Sequence, residues 1–146
     1  MRDAELTEFL SREGRRIVVF ELEGALFFGT AEELAARIEA AARASVAVVI
    51  LDLRRVNDID STGARILLQI QDGLRREGKR LLLSHADDHP AVSTALQAMR
   101  VSAAVGQAAM FHDTDAALEH AEEMVIAGHR ADPRCAEAHV AEVLAQ

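Results

Sequence analysis

Residues 57–68, NDIDSTGARILL, place two carboxylates, an amide, two hydroxyls and a glycine directly in front of an apolar run. Side chains of these types can do three things. Asp58 and Asp60, two positions apart, could share the work of nucleophile and general acid/base in a phosphoryl transfer. Ser61 could accept a phosphate, which the free amides and the dipole of a helix N-terminus stabilise. Asp60 or Ser61 could instead only cap the helix, whose first amides need an oxygen acceptor, with Gly63 allowing close packing.

Which of these applies depends on the elements around the segment. RIVVFELEG (15–24) is β-branched, aromatic and partly alternating, which predicts a strand over Ile17 to Leu22. GTAEELAARIEAAARAS predicts a helix with Thr30 as N-cap, Glu33 as its capping-box partner, and Leu34, Ile38 and Ala41 on one face. VAVVILDL (46–53) is a short continuous apolar run rich in valine, as expected of a central strand buried on both faces. After the opening segment Ile66, Leu67, Ile70 and Leu74 recur at helical spacing, and Gly78 takes the usual C-terminal place. RLLLSHA (80–86) predicts another strand, HPAVSTALQAMR a helix with Pro90 in its first turn, and AAMFHD a short edge strand. Thr114 then caps a long helix with Ala117, Leu118, Ala121, Met124 and Val125 inward. Strands alternating with helices of this length predict an α/β domain of about four strands, in which NDIDSTG lies beyond the carboxyl end of a strand, where such sheets carry ligands.

The chain has 146 residues, half of them hydrophobic, enough for one domain with a real core. Its formal net charge of −8, spread along the sequence, makes nucleic acid a poor partner. A single cysteine, Cys135, excludes an internal disulfide and suits a reducing compartment, so the cytoplasm is expected. No run approaches the ~18 apolar residues needed to cross a bilayer, and the N-terminus lacks the hydrophobic core of a secretion signal.

Asp58-Ile59-Asp60-Ser61-Thr62 spells the D-x-D-x-T pattern of aspartyl-phosphate phosphatases of the haloacid dehalogenase type. In those enzymes the nucleophile runs directly off the strand, whereas RRVN stands here between the apolar run and Asp58, and no later acidic pair for magnesium is evident. No enzymatic activity is expected.

VVILDLRRVNDIDSTGARILLQIQDGLRREGKRLLLSH resembles the core of a STAS domain, the module shared by sulfate permease-type anion transporters and anti-sigma factor antagonists. The resemblance covers residues 15 to about 127. It implies a mostly parallel or mixed sheet of about four strands with helices on one face, no enzyme activity, no cofactor and no metal, and a task of binding or regulating. In the antagonist branch the hydroxyl directly after the aspartate is the phosphoacceptor, which maps onto Ser61. FELEGALFFGTAEELAARIE, with Phe27 and Phe28, resembles the transporter-attached kind, as does MFHDTDAALEHAEEMVI. On that reading the chain is a cytoplasmic regulatory domain of an inner-membrane protein. Its first partner is the membrane transport domain of the same polypeptide, and a regulatory protein or nucleotide meets the loop Asn57, Asp58, Asp60, Ser61, Thr62 and Gly63.

STAS domains generally begin with an extra strand, but DAELTEFLSRE reads as a short helix with Leu6, Phe9 and Leu10 together. The expected division is therefore an N-terminal segment 1–14 with that helix, the domain at 15–128, and a helical extension or linker at 129–146. The uncovered sheet edge would then be open to pairing in a homodimer. His85, Asp87, Asp88 and His89 fit turn capping better than a metal site, and Cys135 with His139 are too few ligands for structural zinc. RREGKR (75–80) reads as a solvated helix end, with contact to an anionic partner or membrane surface as the alternative.

Overall fold

The computed structural model describes residues 5–11 and 14–131 of the chain, with side chains described over 16–127. Five strands form one sheet in sequential order: β1 (Glu5–Ser11), β2 (Gly14–Leu26), β3 (Val48–Ile59), β4 (Arg80–Ser84) and β5 (Met110–Phe111). β2 to β5 are parallel, and β1 pairs antiparallel with β2. The helices are α1 (Phe28–Arg43), α2 (Ser61–Arg76), α3 (Pro90–Ala98), α4 (Val101–Val105) and α5 (Thr114–Ala131).

Two expectations for the termini change. Glu5–Ser11 is a strand, not a short helix, and its register runs from Leu10 opposite Val18 to Glu5 opposite Glu23. A short helix is marginal on its own, whereas β2 offers a row of unpaired backbone groups, so pairing wins. β1 thereby occupies the edge that had suggested pairing in a homodimer. At the other end α5 continues through Gly128 to Ala131, so the expected boundary at 128 falls inside a helix; Cys135, His139 and the rest of the extension lie outside the described residues.

Strand alternation sorts the core into two sides. Val18, Phe20, Leu22, Val49 and Leu51 pack with α1, α2, α3 and α4, whereas Ile17, Val19, Val48 and Ile50 pack with Ala117, Ala121 and Val125 of α5. Helices therefore cover both faces, because a central strand that is apolar on both sides cannot leave one of them wet. The inward positions expected of α2, Ile66, Leu67, Ile70 and Leu74, are all buried.

Among the described residues the second face carries two buried polar exceptions, Asp52 and Ser84. Asp52, 9% exposed, sits between Leu51 and Leu53 in β3. Its Oδ2 accepts from Thr114 Oγ1 at 2.8 Å and its Oδ1 from the Arg54 amide at 3.0 Å. Ser84 Oγ lies 2.8 Å from Thr114 Oγ1. The Thr114 hydroxyl has one proton and gives it to the carboxylate, so Ser84 must be the donor to Thr114. The relay Ser84 to Thr114 to Asp52 ties the first turn of α5 to β3 and β4. Asp113, not Thr114, caps that helix, its Oδ1 accepting from the Ala116 amide at 2.7 Å. Thr114→Val keeps the shape but strands a buried acceptor, and should destabilise the domain by about 1–3 kcal/mol in urea unfolding. Ser84→Ala, which leaves Asp52 its Thr114 partner, should cost less.

Candidate functional site

β2 and β3 are paired along their length and end together, Leu26 opposite Ile59, both buried. The register shifts between Glu21 and Glu23 and again after Gly24, whose φ of 98° suits glycine, and β2 passes through that residue rather than stopping there. Each strand then turns into a helix within one residue, through Phe27 into α1 and through Asp60 into α2. Two helix N-termini thus stand side by side at the carboxyl end of the sheet.

Gly63 sets their separation. A Cβ at this position would lie 2.2 Å from the Leu26 carbonyl oxygen, so α2 begins in direct backbone contact with the end of β2. Asp60 is the N-cap, its Oδ1 accepting from the Gly63 amide at 2.6 Å, while its own carbonyl accepts from the Ala64 amide at 2.9 Å. Asp58 is exposed and turns its Oδ1 back to the Ile59 amide at 2.9 Å. Asn57 and Ser61 are exposed and Thr62 is half-buried. Among the described residues the Ser61 hydroxyl has no internal hydrogen bond, so within the segment 57–63 the framework uses Asp60 and Gly63 and leaves Ser61 facing solvent.

The neighbouring helix start differs from expectation. α1 begins at Phe28 with Phe27 as N-cap, and Thr30 is a buried residue inside the helix rather than its cap. The chain turns as soon as β2 ends, three residues before the Thr30 capping signal. Glu33 is therefore free of capping and lies 3.6 Å from Arg37. Phe27 is half-buried, but Phe28 is 54% exposed, unusual for a phenylalanine.

β3 also runs through Arg54–Asn57, so the gap expected between the apolar strand and Asp58 does not exist. Asp58 and Asp60 nevertheless spend their carboxylates on the amides of Ile59 and Gly63. His85 and Asp88 pair with each other at 3.0 Å in the turn after β4, and among the described residues no three His, Cys, Asp or Glu side chains are placed to hold a metal. The expected loop is not a separate element: Asn57 and Asp58 belong to the end of β3, Asp60 is the one-residue turn, and Ser61, Thr62 and Gly63 form the first turn of α2, with Phe28 at the neighbouring helix start. Sequence reasoning passed over Asp52, although a lone carboxylate in VVILDL was the available signal.

A five-stranded α/β domain whose Ser61 hydroxyl and Phe28 ring face solvent at paired helix starts has the build of an interaction module. The STAS domain family model matches residues 9–117, and the chain belongs to that family of regulatory and interaction domains. A sulfate transporter family protein from Wolinella succinogenes is 32% identical, with a TM-score of 0.67 over 75% of this chain and 87% of that one. The SulP transporter STAS domain from Vibrio cholerae is 27% identical, with a TM-score of 0.66 over 82% of this chain and 88% of that one. The anti-sigma factor antagonist SpoIIAA in its unphosphorylated form is 21% identical, with a TM-score of 0.67 over 82% of this chain and 97% of that one. No curated protein matches the sequence. Among the described residues no helix is long and apolar enough to cross a membrane.

The backbone contact at Gly63 predicts opposite signs for two glycine replacements. Gly63→Ala forces a methyl group into the Leu26 carbonyl and should cost about 1–3 kcal/mol. Gly73→Ala, in the same helix with open space around it, should stabilise by about 0.5–1 kcal/mol. Urea midpoints of the two variants against the parent check both.

Proposed function

We propose that this STAS domain is the cytoplasmic, non-enzymatic regulatory domain of a sulfate permease-type anion transporter, and that it works by contact with the membrane domain of the same polypeptide. The observation that carries the proposal is the exposed Phe28 beside the segment Asn57–Gly63 at the paired starts of α1 and α2. An exposed aromatic at a rigid helix start is a good anchor for a partner, because it brings large contact area at little entropic cost. The 32% and 27% identities to transporter proteins support this branch over the antagonist branch, where SpoIIAA stands at 21%.

A second reading, a freestanding anti-sigma factor antagonist switched at Ser61, is favoured by that hydroxyl's exposure at the first position of α2. A phosphate there would gain from the helix dipole while adding about −1.5 to −2 charge beside Asp58 and Asp60. The surface offered to a partner would change without refolding the domain. On either reading a nucleotide or regulatory protein would meet the same segment.

A photo-crosslinking amino acid at position 28, in cells that make the natural protein, tests the two readings. Adducts to transmembrane segments of a sulfate permease-type polypeptide are expected. Adducts to a soluble kinase, together with phosphate on the Ser61 peptide, would replace the transporter reading by the second. Phe28→Ala should leave stability within about 0.5 kcal/mol, since the ring is largely exposed, yet lower partner binding at least about tenfold.

A further inference from the structure

At the opposite end of the sheet, where β4 begins, the segment RREGKR closes a cavity of about 270 Å³ lined by Arg75, Lys79 and Arg80, with Gln71 beside them. Val105 and Ala109 help form its other wall, and no carboxylate lines it. We propose that this cavity is a binding site for a small phosphate- or sulfate-type oxyanion.

These cations are not needed to finish α2. The carbonyl of Leu74 already accepts from the amides of Glu77 and Lys79, and that of Arg75 accepts from Gly78. Nor are they arranged as a solvated ion-pair network. Arg76 of the same turn pairs with Asp72 on the outer face, whereas Arg75, Lys79 and Arg80 have no salt bridge among the described residues. Lys79 Nζ donates to the carbonyl of Val46, a residue outside the cavity wall, at 2.7 Å, which anchors the ammonium beside the cavity and leaves it two donors. Gln71 Nε2 donates to the Ala104 carbonyl at 3.2 Å, which fixes the far wall to α2.

Arg75, Lys79 and Arg80 line one small space with no carboxylate among them, and an anion there would be attracted by all three. Two guanidinium forks and an ammonium match a tetrahedral oxyanion, the forks supplying paired N–H donors and the lysine a point charge. The chain's net charge of −8 opposes approach from a distance, but within a Debye length of about 8–10 Å the local cations dominate. The wall of small apolar residues leaves room for a compact group and not for a large organic body. The oxyanion could be a free one or the headgroup of an anionic lipid.

Titration of the ¹⁵N-labelled chain with pyrophosphate at low ionic strength, beside flotation with phosphatidylglycerol vesicles and with phosphatidylcholine vesicles, tests the site. Saturable shifts confined to the amides of residues 75–81 and 104–109 are expected. Arg75→Gln with Arg80→Gln spares the Lys79 anchor and should weaken binding at least tenfold with an unchanged melting temperature. Arg75→Lys with Arg80→Lys keeps the charge but loses the forks, and should fall between the two. Pyrophosphate binding without vesicle capture assigns a free anion. Capture by the phosphatidylglycerol vesicles alone, lost in the glutamine variant, assigns a headgroup. Binding that does not saturate, is unchanged in the glutamine variant, or maps to the start of α2 overturns the proposal.

Discussion

The contact between Gly63 and the Leu26 carbonyl is the constraint on which the functional end of the domain depends. It joins backbone to backbone, with no side chain between to adjust, and it requires β2 and β3 to end in register. Two register shifts, one between Glu21 and Glu23 and one between Gly24 and Ala25, together bring Leu26 opposite Ile59. Once this register is met, α1 and α2 must start beside one another, and the residues at their first positions, Phe28 and Ser61, must both appear at the carboxyl end of the sheet. The surface is thus a consequence of strand pairing and does not rely on loop flexibility.

The same sheet gives the domain two chemically different ends. The end of β3 carries Asp58, and the turns beyond β3, β4 and β5 carry Asp60, Asp87, Asp88 and Asp113. The turn at which β4 begins gathers Arg75, Lys79 and Arg80. Helix polarity favours this arrangement, since carboxylates are stabilised at helix starts and cations at helix ends, and in a parallel α/β unit all crossover helices run the same way. A chain of net charge −8 can for this reason hold a locally cationic cavity without contradiction. The Ser84–Thr114–Asp52 relay belongs to the framework between these ends, fixing α5 over the second face.

Most of this was legible in the residues because it rests on local signals. Valine-rich VAVVILDL could only be a central strand, and Ile66, Leu67, Ile70 and Leu74 could only be one buried helical face. A cap at Asp60 or Ser61 and Gly63 as packing residue followed from helix-start chemistry, and the structure uses Asp60. What was misread depends on distant partners. Glu5–Ser11 became a strand because β2 lay open beside it, and helices cover both faces because α5 returns to a side of the sheet that its sequence does not name. Thr30 looked like a cap because the capping box is a local rule, while the true helix start was set three residues earlier by where β2 and β3 end together. A function for Ser61 is not legible in the sequence, since an exposed hydroxyl by itself carries no sign of any enzyme or partner.

Two structures with TM-scores of 0.67 against this chain, at 32% and 21% identity, belong to a sulfate transporter family protein and to an anti-sigma factor antagonist. One fold therefore serves in both kinds of protein. In this chain Asp60 and Gly63 are committed to holding α2 in place, and replacing either costs stability whatever the partner. The residues that the framework does not use around the same two helix starts are Asn57, Ser61 and Phe28, all exposed. A change at these positions should cost little in folding, whereas one at Asp60 or Gly63 acts on the frame itself.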